Sequence, residues 1–135
     1  MTLFTSDGEL SVDVGSGAIW YSAYSTAMCL LADKTREIIP HALSFLKTGE
    51  CSVDKISVTK KEMEMVIKEF SLIKPENAIY DLHNPKAAPP WNGNIATRVT
   101  SCANMYTTAD GKELFSEVMT LLEYADKNKV SINAG

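Results

Sequence analysis

At 135 residues the chain has the length of one domain that buries roughly two thirds of its unfolded surface, and its 45% hydrophobic, 22% charged composition excludes an intrinsically disordered polymer. The net charge of −4 sits entirely in the first quarter: residues 1–33 hold Asp7, Glu9, Asp13 and Asp33 with no Lys or Arg, and the other 13 acidic side chains match the 13 basic ones. Such a surface repels phosphate backbones, which excludes direct nucleic-acid binding there, and the longest apolar run, Ala27 to Ala32, is far below the ~20 residues that cross a bilayer.

Leu10, Val12 and Val14 alternate with Glu9, Ser11 and Asp13, the period of a half-buried strand. Ser6-Asp7-Gly8 is a turn signal, so Leu3–Thr5 and Glu9–Val14 are expected to form an antiparallel hairpin. Gly15-Ser16-Gly17 ends the strand, with Ser16 placed to cap a helix. Trp20, Tyr24, Ala27 and Leu31 then fall at helical spacing, flanked by Ile19, Ala23 and Leu30. A second helical phase, Ile38, Ile39, Ala42, Leu43 and Leu46, has Pro40 near its start and Gly49 at its end. A break between the two helices is expected near Asp33–Arg36.

Val53, Ile56 and Val58 read as a short strand, and Thr59-Lys60-Lys61-Glu62 as the capping box of a helix with the stripe Met63, Val66, Ile67, Phe70. Lys74-Pro75 lies beyond its end, near Leu72. Ala78–Leu82 is expected to be a strand, and Asn84 to Asn94, with its prolines and Asn92-Gly93, a long irregular stretch. Part of Ile95–Tyr106 is expected to be a further strand. Tyr106 opens the most readable element, a helix to about Asn128 with Leu114, Phe115, Val118, Leu121, Leu122 and Ala125 on one face. Thr108 or Asp110 would cap it, and Val130-Ser131-Ile132 would close the chain as a strand. The sum is an α+β single domain, residues 1–135, with a small, mostly antiparallel sheet packed against about four helices.

Few residue patterns carry chemistry. His41 and His83 stand far apart and belong to no metal-binding motif, so no metal or other cofactor is expected. Cys29, Cys51 and Cys102 are odd in number and contain no CxxC pair, which fits a reducing compartment. The N-terminus lacks a basic segment and an apolar core like those of a secretory signal, so a cytoplasmic location is the expectation. A nucleophile built from Cys102 or Cys51 with His83 has no local signature, and free cysteines commonly serve as small buried hydrophobes. Glu62/Glu64 and Glu113/Glu117 share helix turns and read as solvated faces, not as carboxylates opposed across a cleft. Trp91, after Pro89-Pro90, either tucks into the core and pins its loop or stands as a hot-spot anchor for a partner. The residues by themselves describe a compact acidic domain that works by binding; a generic protein-binding adaptor and a small enzyme using Cys102 and His83 are the alternatives.

Four pieces in order, Val12-Asp13-Val14-Gly15-Ser16, Val58 to Glu64, Pro90-Trp91 and Thr108 to Phe115 with the closing strand, resemble the immunity protein 70 family of bacterial polymorphic-toxin systems. The chain departs from the family pattern at Thr48-Gly49-Glu50-Cys51-Ser52, a longer connection than the acidic Asp-Gly turn of related sequences. The resemblance implies an immunity protein, with no catalytic activity of its own, that binds a cognate toxin C-terminal domain. Such toxins are frequently basic nucleases, RNases or tRNases, delivered by contact-dependent growth inhibition. On that reading the acidic hairpin and its corner, Asp7, Glu9, Asp13 and Ser16, become candidate toxin-binding residues together with Trp91. A solvated hairpin that aids solubility is the plainer alternative.

Overall fold

A computed structural model describes all 135 residues. The hairpin forms where the alternation places it: β1 (Thr2–Thr5) pairs antiparallel with β2 (Ser11–Asp13), Leu3 opposite Val12 and Phe4 opposite Ser11. Leu3, Thr5 and Val12 are buried while Ser11 and Asp13 face solvent, so the sheet has one core face. Ser16 accepts a hydrogen bond from Ala18 N (3.2 Å) and caps α1 (Gly17–Leu30), as its position predicts.

Between α1 and the next long helix the expected break is itself a short helix, α2 (Asp33–Glu37). Pro40 then opens α3 (Pro40–Thr48), and Gly49 closes it in the left-handed conformation, φ +77°. Ile38 and Leu30 turn outward and do not join the core. Ala23, Ala27 and Ala42 are fully buried, and these small side chains let α1 and α3 pack closely. Trp20 meets Phe45 edge-on at 5.3 Å and donates its indole N–H to the Phe45 carbonyl (3.2 Å).

The expected strand at Val53–Val58 is helical. One 3-10 turn, Val53–Lys55, leads directly into α4 (Ile56–Phe70). Ile56, Thr59, Met63, Val66 and Phe70 are all buried along it, so Ile56 opens a helical stripe, while Val53 is exposed and Val58 half-buried. Thr59 is therefore inside the helix and no capping box forms there; its hydroxyl receives the Cys51 thiol (3.4 Å). Glu62 does act as a cap, but for another helix. Its carboxylate accepts from His41 N (2.7 Å) and Ala42 N (3.2 Å), the free amides in the first turn of α3, and from the His41 ring (2.8 Å).

Ala78–Leu82 is irregular rather than a strand. It lies along α1, held by Thr26 and Ser22 at Ile79 and by Ser25 at Leu82. The polar face of α1 satisfies these backbone groups, which removes the need for a sheet neighbour. Residues 84–100 form turns without regular structure, and the expected strand in 95–106 is replaced by the short helix α5 (Cys102–Met105), capped reciprocally by Ser101 and Asn104. Tyr106 to Glu113 is a closed turn, with Thr107 bridged to Glu113, so the last helix, α6 (Leu114–Asn128), starts eight residues later than its sequence signal. Thr108 and Asp110 bond within that turn and do not cap the helix.

The closing strand is β3 (Ile132–Ala134), displaced toward the terminus by the left-handed Lys129 that ends α6. It pairs antiparallel with β1, giving the order β2-β1-β3. Of the four long helices α6 packs against β1 and β2, α4 packs on α6, α3 on α4 and α1 on α3, and α2 and α5 are short additions to that α+β plan. The α6 stripe Leu114, Phe115, Val118, Leu121, Leu122 and Ala125 is buried throughout, each large side chain contributing roughly 1.5–3 kcal/mol.

Candidate functional site

Asp7 and Glu9 lie at the turn of the β1–β2 hairpin, and Asp13 and Ser16 at its other end and the corner that follows it. Asp7 shapes the turn: Oδ1 accepts from Thr5 Oγ1 (2.7 Å) and Glu9 N (3.1 Å), and Oδ2 accepts from the Tyr124 hydroxyl of α6 (2.8 Å). The Thr5 hydroxyl, then the Glu9 amide and Tyr124, hold the Asp7 carboxyl below its ordinary range, so it stays anionic. The same contact pushes the Tyr124 hydroxyl up to about 12. Asp13 accepts from Gly15 N (2.9 Å), and Gly15 takes φ +83° at the corner. Glu9 is exposed and its carboxylate has no partner in the fold.

The folded chain adds neighbours that sequence distance conceals. Ala109 N donates to the Asp13 carbonyl (2.9 Å), laying the 108–112 turn beside β2. The cleft between them, about 460 Å³, is lined by Ser11, Asp13, Asp110, Lys112 and Glu117 among others. Thr108 donates to Asp110 and lowers its pKa; Lys112 lies 3.5 Å from both Asp110 and Glu117, and these carboxylates raise its own. The cleft thus has three carboxylates for one ammonium, and that ammonium is already shared.

Trp91 belongs to a different surface. Its ring is half-buried, edge-on to Tyr80 (5.7 Å) and Tyr106 (6.1 Å), beside an apolar depression of about 190 Å³ that includes Ile19, Ile95, Val99 and Met105. Its indole N–H is buried without an acceptor. Tyr106 in turn bonds Ser22 and Thr26 (both 3.0 Å), so the aromatic group ties the 84–100 loop to α1.

Cys102 is fully buried, its thiol pushed up to about 12 by burial and directed at the Lys74 carbonyl, whereas His83 is exposed. That setting keeps the thiol protonated and unreactive. Burial likewise raises the Cys51 thiol, which lies at the edge of a polar depression of about 620 Å³ with His41, Glu50, Lys55 and Asn133. No group of three His, Cys, Asp or Glu side chains is arranged to hold a metal ion, and no helix is long and apolar enough to cross a membrane.

No curated protein and no solved structure proved similar to the chain. The family model described as immunity protein 70 matches residues 5–134, from the end of β1 to the end of β3. The match takes in the hairpin, the four long helices and the closing strand that together build this α+β domain, and the chain therefore belongs to the immunity protein 70 family.

Proposed function

We propose that this immunity protein binds and neutralises a cognate toxin C-terminal domain, that this domain is a basic nuclease (RNase or tRNase) delivered by contact-dependent growth inhibition, and that the protein works by occupation, not catalysis, in the cytoplasm of the cell it protects. The observation that carries the reading is the placement of charge. The hairpin carries carboxylates along its whole length, Asp7 and Glu9 at the turn and Asp13 at the other end, where Asp110 and Glu117 lie beside it. A nuclease surface built to bind phosphate is basic, and an acidic inhibitor complements it, speeds encounter and blocks substrate. In this reading Asp7, Glu9, Asp13 and Ser16 face the toxin, and Trp91 supplies an apolar anchor.

The test is coexpression with the toxin C-terminal domain encoded by the reading frame immediately upstream. The protein should restore growth and co-purify with that domain; loss of both outcomes refutes the function. Glu9 offers a clean electrostatic probe because its carboxylate holds nothing in the fold. Glu9→Lys should slow association roughly threefold or more at low ionic strength and flatten its salt dependence. An unchanged association rate removes the hairpin from the interface.

A further inference from the structure

The sheet has two edges, and they are treated differently. Beyond β3, Cys51 exchanges two backbone hydrogen bonds with Ile132 (both 2.9 Å) and covers that side. Beyond β2 the backbone is open. Thr5 N bonds to Leu10 O and Val14 N to Met1 O (both 3.0 Å), which puts residues 10, 12 and 14 in the pairs that bond inward to β1. In an antiparallel ladder the alternate residues then present their groups outward. Ala109 N takes the Asp13 carbonyl, but the Ser11 N–H and C=O and the Asp13 N–H meet no partner in the chain.

An open edge is a template for another strand, and proteins usually blunt or cover it. Charge decides the occupant here. A second copy paired antiparallel about Ser11 would set Asp13 directly opposite Glu9, and like charges in that position are destabilising. A segment carrying Lys or Arg meets the reverse situation, a cleft walled by Asp13, Asp110 and Glu117 whose one ammonium, Lys112, is already engaged.

We infer that Ser11–Asp13 is a docking edge: an extended segment of the toxin domain bearing Lys or Arg pairs with the Ser11 backbone and lays a basic side chain into the cleft between Asp13, Asp110 and Glu117. The inference rests on the proposed toxin binding and specifies its geometry. Recognition is then divided. Main-chain hydrogen bonds supply pairing that any sequence can make, and the carboxylates select which side chain enters.

The experiment is amide hydrogen exchange on the intact protein, alone and with the toxin C-terminal domain from the upstream reading frame. The Ser11 and Asp13 amides should exchange freely alone and slow by about tenfold or more in the complex, as expected for a newly bonded edge. Ser11→Pro removes the outward donor while sparing the bonds to β1, because edge strands accept proline on that side. It should weaken toxin binding about tenfold, whereas Ser11→Ala, which keeps the backbone donor, should stay within about twofold. If Ser11→Pro fails to fold, exchange on the unsubstituted chain decides. Wild-type protein that binds and protects with Ser11 and Asp13 exchanging as before overturns the docking edge and leaves the immunity reading standing. Wild type that neither binds nor protects overturns both. Protection of Ser11 without toxin, together with a doubled mass at high concentration, assigns the edge to a second copy and also overturns the inference.

Discussion

Glu62 gives the sharpest energetic test of the fold. It is an acidic side chain on α4 that is only 6% exposed, and it satisfies the first turn of α3 across the helix interface. Glu62→Ala strands the buried Ala42 N–H and the half-buried His41 N–H, and a buried donor left unmade costs about 1–3 kcal/mol. Losing an N-terminal cap costs about 1–2 kcal/mol by itself. These are two accounts of the same bonds and are not added; with one donor buried and His41 partly reached by water, the loss is expected at about 2 kcal/mol, or a fall in melting temperature of roughly 7 °C. Glu62→Gln keeps one oxygen for both amides and should lose about 1 kcal/mol. Thermal and urea unfolding followed by circular dichroism measure both variants. A loss below about 1 kcal/mol in the alanine variant would refute the cap and leave the carboxylate as an incidental neighbour of α3.

Gly49→Ala should destabilise by about 3 kcal/mol, because φ +77° strains an L-residue and its Cβ would lie 2.9 Å from both Leu3 Cδ2 and Ala134 Cβ; an unchanged urea midpoint contradicts this. Asp7→Asn should lower stability at neutral pH. The folded Asp7 carboxyl is held below its ordinary 3.8, so its contribution is present above that value and lost as pH falls through the folded pKa. Unfolding profiles of the two proteins should therefore converge in acid, and a gap that persists unchanged below that range contradicts the turn-stabilising role.

What the sequence made legible follows from the range of the interactions. The hairpin, α1 and the α6 stripe are written in short periods and each appears, the α6 stripe with every expected residue buried and α1 with Leu30 turned outward and Ser22, Ser25 and Thr26 buried instead. The strand expected at Val53–Val58 fails because Val53, Ile56 and Val58 favour strands locally, while Ile56 is the first tooth of the stripe running through Met63, Val66 and Phe70 to meet α3 and α6. Thr59 and Glu62 fail in a more instructive way. The spacing of a capping box equals the spacing of adjacent turns, so the same pair fits a helix start or a helix interior. Only the third dimension shows that Glu62 serves α3. The acidic hairpin was readable as charge, but Asp110 and Glu117 join it through the Ala109–Asp13 contact, about a hundred residues away in the chain. Trp91 keeps two aspects for the same reason, since its partners Tyr80 and Tyr106 pin the loop while its indole N–H lacks an acceptor.

The middle strand of the sheet couples the two ends of the sequence. Thr5 is paired with Leu10 on one side and with Ile132 on the other, a difference of about 25-fold in the length of chain to be closed. Closing the longer loop costs about 3 kcal/mol more entropy by the logarithmic rule. The acidic ribbon therefore can curl early, but it gains its rigid seat only when residues 132–134 arrive beside β1. Until that moment the strand that carries the charge lacks its backing. Assembly of the surface thus waits on the most distant contact in the fold.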